Sequence, residues 1–211
     1  MQANKKMFVG SSKTINKKFQ NIIKSTLLSA TELNPRLYLL RVDLHSPDMK
    51  SDDITQTPVQ FKIDHDVIRR TFRSIKSQLK AKEIKKRKEG KRVYPHHLKY
   101  IWVREIGKIS QKTHYHLILI FNRDAYFNCG SFSSEINNLA NIISKAWQRA
   151  LGLKAERKTL IHICKNDFYY LDKNHPSFQN EFNAYLKYFD YLAKDYSKPY
   201  NDGYRAIGCS R

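Results

Sequence analysis

The chain has 211 residues, a length that suits one domain with appendages and can bury a core without disulfides or a structural metal. Its 39 Lys and Arg against 19 Asp and Glu give a formal charge of +20, an excess fitted to a polyanion such as nucleic acid. No run approaches the ~18 apolar residues of a membrane span, the N-terminus lacks the apolar stretch of a signal peptide, and Cys129, Cys164 and Cys209 form no Cys-x-x-Cys, so nucleic acid in a reducing cytoplasm is expected, with no membrane.

Residues 1–13 are polar. From Thr14 to Ala30, Ile15, Phe19, Ile22, Ile23, Leu27 and Leu28 recur at helical spacing; Thr14 is a candidate cap and Asn34-Pro35 a stop. Residues 1–35 thus read as an N-terminal helical extension, and 36–211 as the main domain. Arg36–His45 is rich in strand formers and reads as a buried strand. Residues 46–60 read as loop, and a helix follows from His65 to about Glu89, with Val67, Ile68, Phe72, Ile75 and Leu79 on one face. Its second half, through Arg92, carries eight basic residues, among them Lys85, Lys86, Arg87, Lys88, Lys91 and Arg92. That run is equally a solvated helix end or an arm that contacts phosphates.

Leu98–Glu105 and His114–Phe121 then read as an antiparallel hairpin, Phe132–Leu151 as a helix stopped at Gly152, and Thr159–Cys164 as a short strand. A last helix runs from Gln179 to about Tyr196, followed by a polar tail. From Arg36 the order is strand, helix, strand, strand, helix, strand. This predicts an α+β fold of ferredoxin-like β-α-β-β-α-β type, an antiparallel sheet with helices on one face.

The chemistry centres on His114-Tyr115-His116. Side chains two apart on a strand share a face, so both imidazoles can meet one metal ion. By itself the pattern also fits two hydrogen-bonded histidines on a sheet face. However, Ile118 and Ile120 continue that face while Leu117 and Leu119 cover the other, so the strand reads as buried on both sides. Glu105 ends the partner strand and lies across the hairpin from His114. Two imidazoles and a carboxylate suit Mn²⁺ or Mg²⁺ as a Lewis acid; the plainer role for Glu105 is an ion pair with Arg104 or Lys112. Asp43, His45 and His162 are further polar groups that the fold could bring near, with no spacing argument to decide.

Four tyrosines lie on or just past the last helix. Tyr185, Phe189, Leu192 and Tyr196 share an apolar stripe that points to the core. Tyr191 instead falls between Lys187 and Lys194 on a basic stripe, where cations favour a phenolate and can hold a phosphate. Tyr188, one turn earlier, is the reserve nucleophile.

Taken together, Arg41-Val-Asp-Leu44, Glu105, His114 through Asn122, Tyr191-Leu-Ala-Lys194 and Arg205 through Arg211 resemble the HUH-superfamily replication initiators (Rep proteins), most of all the inovirus-type initiators of filamentous phages and prophages. The resemblance spans about 36–211. It implies an HUH nicking domain that cuts single-stranded or hairpin DNA at an origin and starts rolling-circle replication of a phage, prophage or plasmid. By it, the metal of His114, His116 and Glu105 polarises the scissile phosphate and Tyr191 forms a 5′-phosphotyrosine. Lys194 positions the phosphate, and a host polymerase extends the freed 3′-OH. The spacing departs from the Tyr-x-x-x-Tyr of two-tyrosine initiators. No Gly-x-x-x-x-Gly-Lys is present, so a host helicase is implied. The competing expectations are a non-catalytic single-stranded DNA or RNA binder and a relaxase or transposase of the same chemistry.

Overall fold

Residues 8–9, 14–47, 61–107, 111–132, 137–153, 160–163 and 168–210 are described by the structure, a computed structural model. The first strand, β1 (Phe8–Val9), leads into helix α1 (Lys17–Leu33). The cap is Asn16 rather than Thr14: its side chain accepts a hydrogen bond from Phe19 N at 3.3 Å, satisfying a donor that the first helical turn leaves open. Asn34 ends the helix in extended backbone, as Asn34-Pro35 predicts.

β2 (Arg36–His45) has the expected bounds. Helix α2 (Val67–Lys88) is followed by β3 (Lys99–Ile106) and β4 (Thr113–Asn122), the expected hairpin, with Glu105 opposite His114 in register. Helix α3 (Leu139–Leu151) starts later than Phe132, because Asn138 accepts from Asn141 N and caps it there; Ile136 lies outside the described residues. Gly152 closes it with φ 75°, a left-handed conformation that glycine adopts without strain. Of the short strand expected at Thr159–Cys164, β5 (Ile161–His162) is described.

Four strands were not foreseen, the first being β1 in a stretch read only as polar. β6 (Phe168–Asp172) pairs with β2, β7 (Pro199–Tyr200) pairs with β1, and β8 (Ile207–Cys209) pairs with β3. The last helix, α4 (Phe178–Phe189), ends earlier than Tyr196; a 3-10 turn (Asp190–Ala193) and extended chain take its place.

The main sheet is antiparallel throughout, in the order β5-β2-β4-β3-β8 with β6 also on β2. Helices cover both of its faces, not one. The reason is in β2 and β4, whose alternate side chains are apolar in both directions. Tyr38, Leu40, Val42, Leu44, Leu117 and Leu119 pack under α2 and α3. Leu37, Leu39, Ile118 and Ile120 need a second cover, and α1 with α4 supplies it through Phe19, Ile23, Leu27, Phe182 and Phe189. Each such buried side chain contributes about 1.5–3 kcal/mol. On this second face, at the end of β2, the apolar series gives way to Arg41, Asp43 and His45.

Candidate metal centre and tyrosine

Alternation along three adjacent strands builds the site. His114 and His116 of β4, Glu105 of β3 and Asp43 of β2 point to the α1/α4 face at one end of the sheet. Glu105, His114 and His116 each offer a ligand atom, all within 4.8 Å of one another. Glu105 Oε2 lies 3.6 Å from His114 Nε2 and 3.5 Å from His116 Nε2. One carboxylate oxygen and two imidazole nitrogens converging on one point are a donor set that fits a divalent ion.

Asp43 and Lys198 complete the arrangement. Asp43 Oδ1 accepts from His116 Nδ1 at 2.6 Å, the carboxylate–histidine pairing that orients metal-binding imidazoles. Arg41 in turn holds Asp43 Oδ2 at 3.2 Å. The ammonium of Lys198, a fully buried side chain, pairs with Glu105 Oε1, leaving Oε2 for the imidazoles. Burial works to raise the Glu105 carboxyl, but hydrogen bonds from His114 and His116 and the Lys198 charge hold it far below the usual carboxylate range. Burial works to lower the His116 imidazole, yet its bonds to Asp43 and Glu105 push it up to about 9. A metal bound at His116 Nε2 would have to displace the proton that this raised value keeps on the ring. Burial comes first in lowering His45, whose ring stacks on His114 at 6.2 Å between centroids. His162 is paired with Asp43 in register, at the same rim.

Tyr191 reaches this cluster from the 3-10 turn, not from a continuous helix. Its ring lies 6.2 Å from the His116 ring, edge to face, and Arg41 sits over it at 4.6 Å. The start of α1 clamps the turn: Asn16 N donates to Ala193 O at 2.8 Å, Gln20 Nε2 to Asp190 Oδ1 at 2.6 Å, and Asn16 Nδ2 to Asp195 Oδ1 at 3.1 Å. The helical stripe expected to flank Tyr191 with Lys187 and Lys194 therefore does not exist, since α-helix ends at Phe189. Lys187 is exposed in the last turn of α4, and Lys194 lies in extended chain bridged to Ile15. The cations set against the site are instead Arg41 and Lys198, neither singled out by spacing. Tyr188 is exposed and packs with Tyr169, Phe189 and Tyr191.

The basic run lies elsewhere. Lys85, Lys86, Arg87 and Lys88 end α2, with Lys91 and Arg92 just beyond, at the end of the sheet where β3 begins. Glu105 is six residues along β3 from Lys99, a separation of about 20 Å. Between the helix end and β3 is a cleft of about 440 Å³ lined by Lys76, Lys80, Arg87 and Lys99, among others. Cys129 and Cys209 are free thiols, and Cys164 lies outside the described residues. Among the described residues, no helix is long and apolar enough to cross a membrane.

The YagK/YfjJ C-terminal domain model matches residues 2–210. Two proteins of Escherichia coli (strain K12) are similar over nearly their full length. The uncharacterized protein YagK is 37% identical over 196 residues, covering 92% of each chain. The uncharacterized protein YfjJ is 33% identical over 196 residues, covering 92% of this chain and 93% of its own. No solved structure matches.

Proposed function

The chain belongs to the YagK/YfjJ C-terminal domain family, and we propose that it is a metal-dependent single-strand DNA endonuclease that cuts with a tyrosine and stays joined to the 5′ end. The observation that carries this reading is one cluster: two imidazoles and a carboxylate converging within 4.8 Å, with the Tyr191 ring 6.2 Å from one of those imidazoles. The order β5-β2-β4-β3 is also that of a ferredoxin-like unit, which supports assigning the fold to the HUH endonuclease type.

In this mechanism Glu105, His114 and His116 hold a divalent ion such as Mn²⁺ or Mg²⁺, which when bound would supply Lewis-acid polarisation of the scissile phosphate. Asp43 fixes His116 so that Nε2 faces Glu105 Oε2, where the two would share an ion. Tyr191 attacks phosphorus; a bond to the phenolic oxygen forms as the bond to the 3′ oxygen breaks. The phenol gives up its proton and the 3′ oxygen takes one up. Arg41, already over the Tyr191 ring, offsets the charge that develops. Initiation of rolling-circle replication is the role that such a joined 5′ end and free 3′-OH suit best, with host helicase and polymerase as partners.

The test is an SDS-resistant adduct between the protein and a labelled single-stranded oligonucleotide pool in Mn²⁺. An adduct lost with EDTA, His116→Ala and Tyr191→Phe, and kept with Tyr188→Phe, is expected. The basic cleft near Lys76 and Lys99 favours one second reading, a non-catalytic single-strand binder. Salt-sensitive binding with no adduct on any sequence would establish that reading instead.

A further inference from the structure

A second cavity, of about 220 Å³, lies behind the metal cluster on the α2 face of the sheet. Two of its buried lining residues are next in sequence to the metal ligands: Arg104 precedes Glu105, and Tyr115 lies between His114 and His116. Alternation sends these side chains to the opposite face. The ligands and the cavity therefore share the same strands and the same end of the sheet.

The walls are aromatic and fixed. Trp102 meets Tyr115 edge to face at 6.0 Å, and Tyr115 meets Trp147 in the same way at 5.9 Å. The indole of Trp102 lies against the backbone of Gly208, where a Cβ would come within 2.6 Å of ring carbons, so only glycine lets the ring settle there. At the mouth Tyr204 is 39% exposed, with His65 edge-on at 5.5 Å and the Arg104 guanidinium over its ring at 5.0 Å. Arg104 is itself buried. It is doubly bonded to Asp202 at 2.8 Å, and its Nε and Nη2 donate to the carbonyls of Arg205 (3.2 Å) and Tyr204 (3.4 Å). The segment that carries Tyr204 is thus tied down rather than loose. Arg205, exposed, lines the cavity beside it.

We infer that this cavity is a nucleobase pocket: one base of the single strand, close to the scissile phosphate, enters between Tyr204 and Trp102. The inference rests on single-stranded DNA being the substrate. Flat rings at the mouth offer a base its π-face, and stacking of that kind is tolerant of sequence. The exposed Arg205 guanidinium meets the phosphate next to the base. A cavity of this size holds one ring system and excludes a duplex. The pocket would let the enzyme grip its substrate on both faces of the sheet end, with phosphate on one and base on the other.

Binding measured in EDTA isolates the pocket from the nicking reaction. The wild-type protein is titrated with each of the four homopolymeric DNA oligonucleotides, with a fully abasic strand of equal length, and with free mononucleotides, while tryptophan fluorescence is followed. At least one homopolymer is expected to quench the emission to saturation, the abasic strand to bind without quenching, and free mononucleotide to bind far more weakly. Tyr204→Ala, at a half-exposed position that does not hold the core, should bind that homopolymer about tenfold more weakly and lose the quench; Tyr204→Phe should keep both. The pocket is ruled out if no homopolymer quenches, if the abasic strand quenches equally, or if Tyr204→Ala binds as wild type. Equal affinity for the free mononucleotide would overturn the strand-borne base. An adduct in Mn²⁺ without any quench leaves the endonuclease and removes the pocket; a quench without any adduct does the reverse.

Discussion

His116 Nδ1 donates to Asp43 Oδ1 at 2.6 Å, and this bond turns His116 Nε2 toward Glu105, 3.5 Å away. Asp43 touches no other member of the metal cluster in this way, so its part is to aim one ligand. Asp43→Asn should leave the fold intact and weaken Mn²⁺ binding by about 10- to 100-fold, measured by calorimetric titration of the protein without DNA. Unchanged affinity would mean that His116 is oriented by packing alone.

Lys198 is buried against Glu105 Oε1 with its side chain fully hidden, and burial lowers the lysine's own basicity despite the carboxylate. Lys198→Met leaves Glu105 as a buried charge without that partner. In EDTA the variant should be less stable by about 3–5 kcal/mol, read from urea unfolding. Saturating Mn²⁺ should restore part of the loss, since a second cation then meets the same carboxylate. A loss equal with and without metal would show that Lys198 serves packing rather than the charge of the site.

Much of this arrangement was legible in the sequence. The period-2 pattern of β2 and β4 and the hairpin register of Glu105 with His114 follow from alternation alone, because buried strands pin their own register. What could not be read was anything set by contacts between segments distant in sequence. Lys198 approaches Glu105 from 93 residues away, and no local pattern marks it. β6, β7 and β8 are only five, two and three residues long, too short to show an alternating pattern, and pair with distant strands. The helical stripe that sets Tyr191 apart in the sequence is replaced by the 3-10 turn, yet Tyr191 still faces His116, because the clamp from Asn16 and Gln20 holds the turn. β2 does carry a usable signal: Leu37, Leu39, Arg41, Asp43 and His45 share one face and change from apolar to polar halfway, as β4 does in mirror order.

Arg41 separates metal binding from attack by the tyrosine. Its guanidinium is 4.6 Å from the Tyr191 ring centre, while its bond to Asp43 is a single contact of 3.2 Å. Arg41→Gln is expected to slow adduct formation by about 10²- to 10³-fold while changing Mn²⁺ affinity by only a few-fold. A matching fall in both would place Arg41 among the residues that shape the metal centre.

The tie between Arg104 and Asp202 predicts an acid-sensitive contribution to stability. Burial works to raise the Asp202 carboxyl, but the Arg104 hydrogen bond, backbone bonds and the guanidinium charge bring it below its ordinary value. The unfolded chain has that group near the usual ~3.9, so the folded state binds its proton less readily. The contribution is therefore fully present above about pH 4, and is lost as pH falls through the depressed folded value. Asp202→Asn should cost about 1–2 kcal/mol at neutral pH, the worth of hydrogen bonds to a charged group at a partly exposed position. Its stability curve should then converge on that of the wild type below about pH 4, because the wild type loses the same interaction by protonation. Urea unfolding from pH 7 to pH 2.5 measures the difference, in which carboxylates common to both proteins cancel. Curves that stay parallel down to the lowest pH would show that Asp202 does not act through its charge. Because Asp202 also fixes the segment bearing Tyr204, the same variant should loosen homopolymer binding at neutral pH, which links the stability measurement to the aromatic pocket.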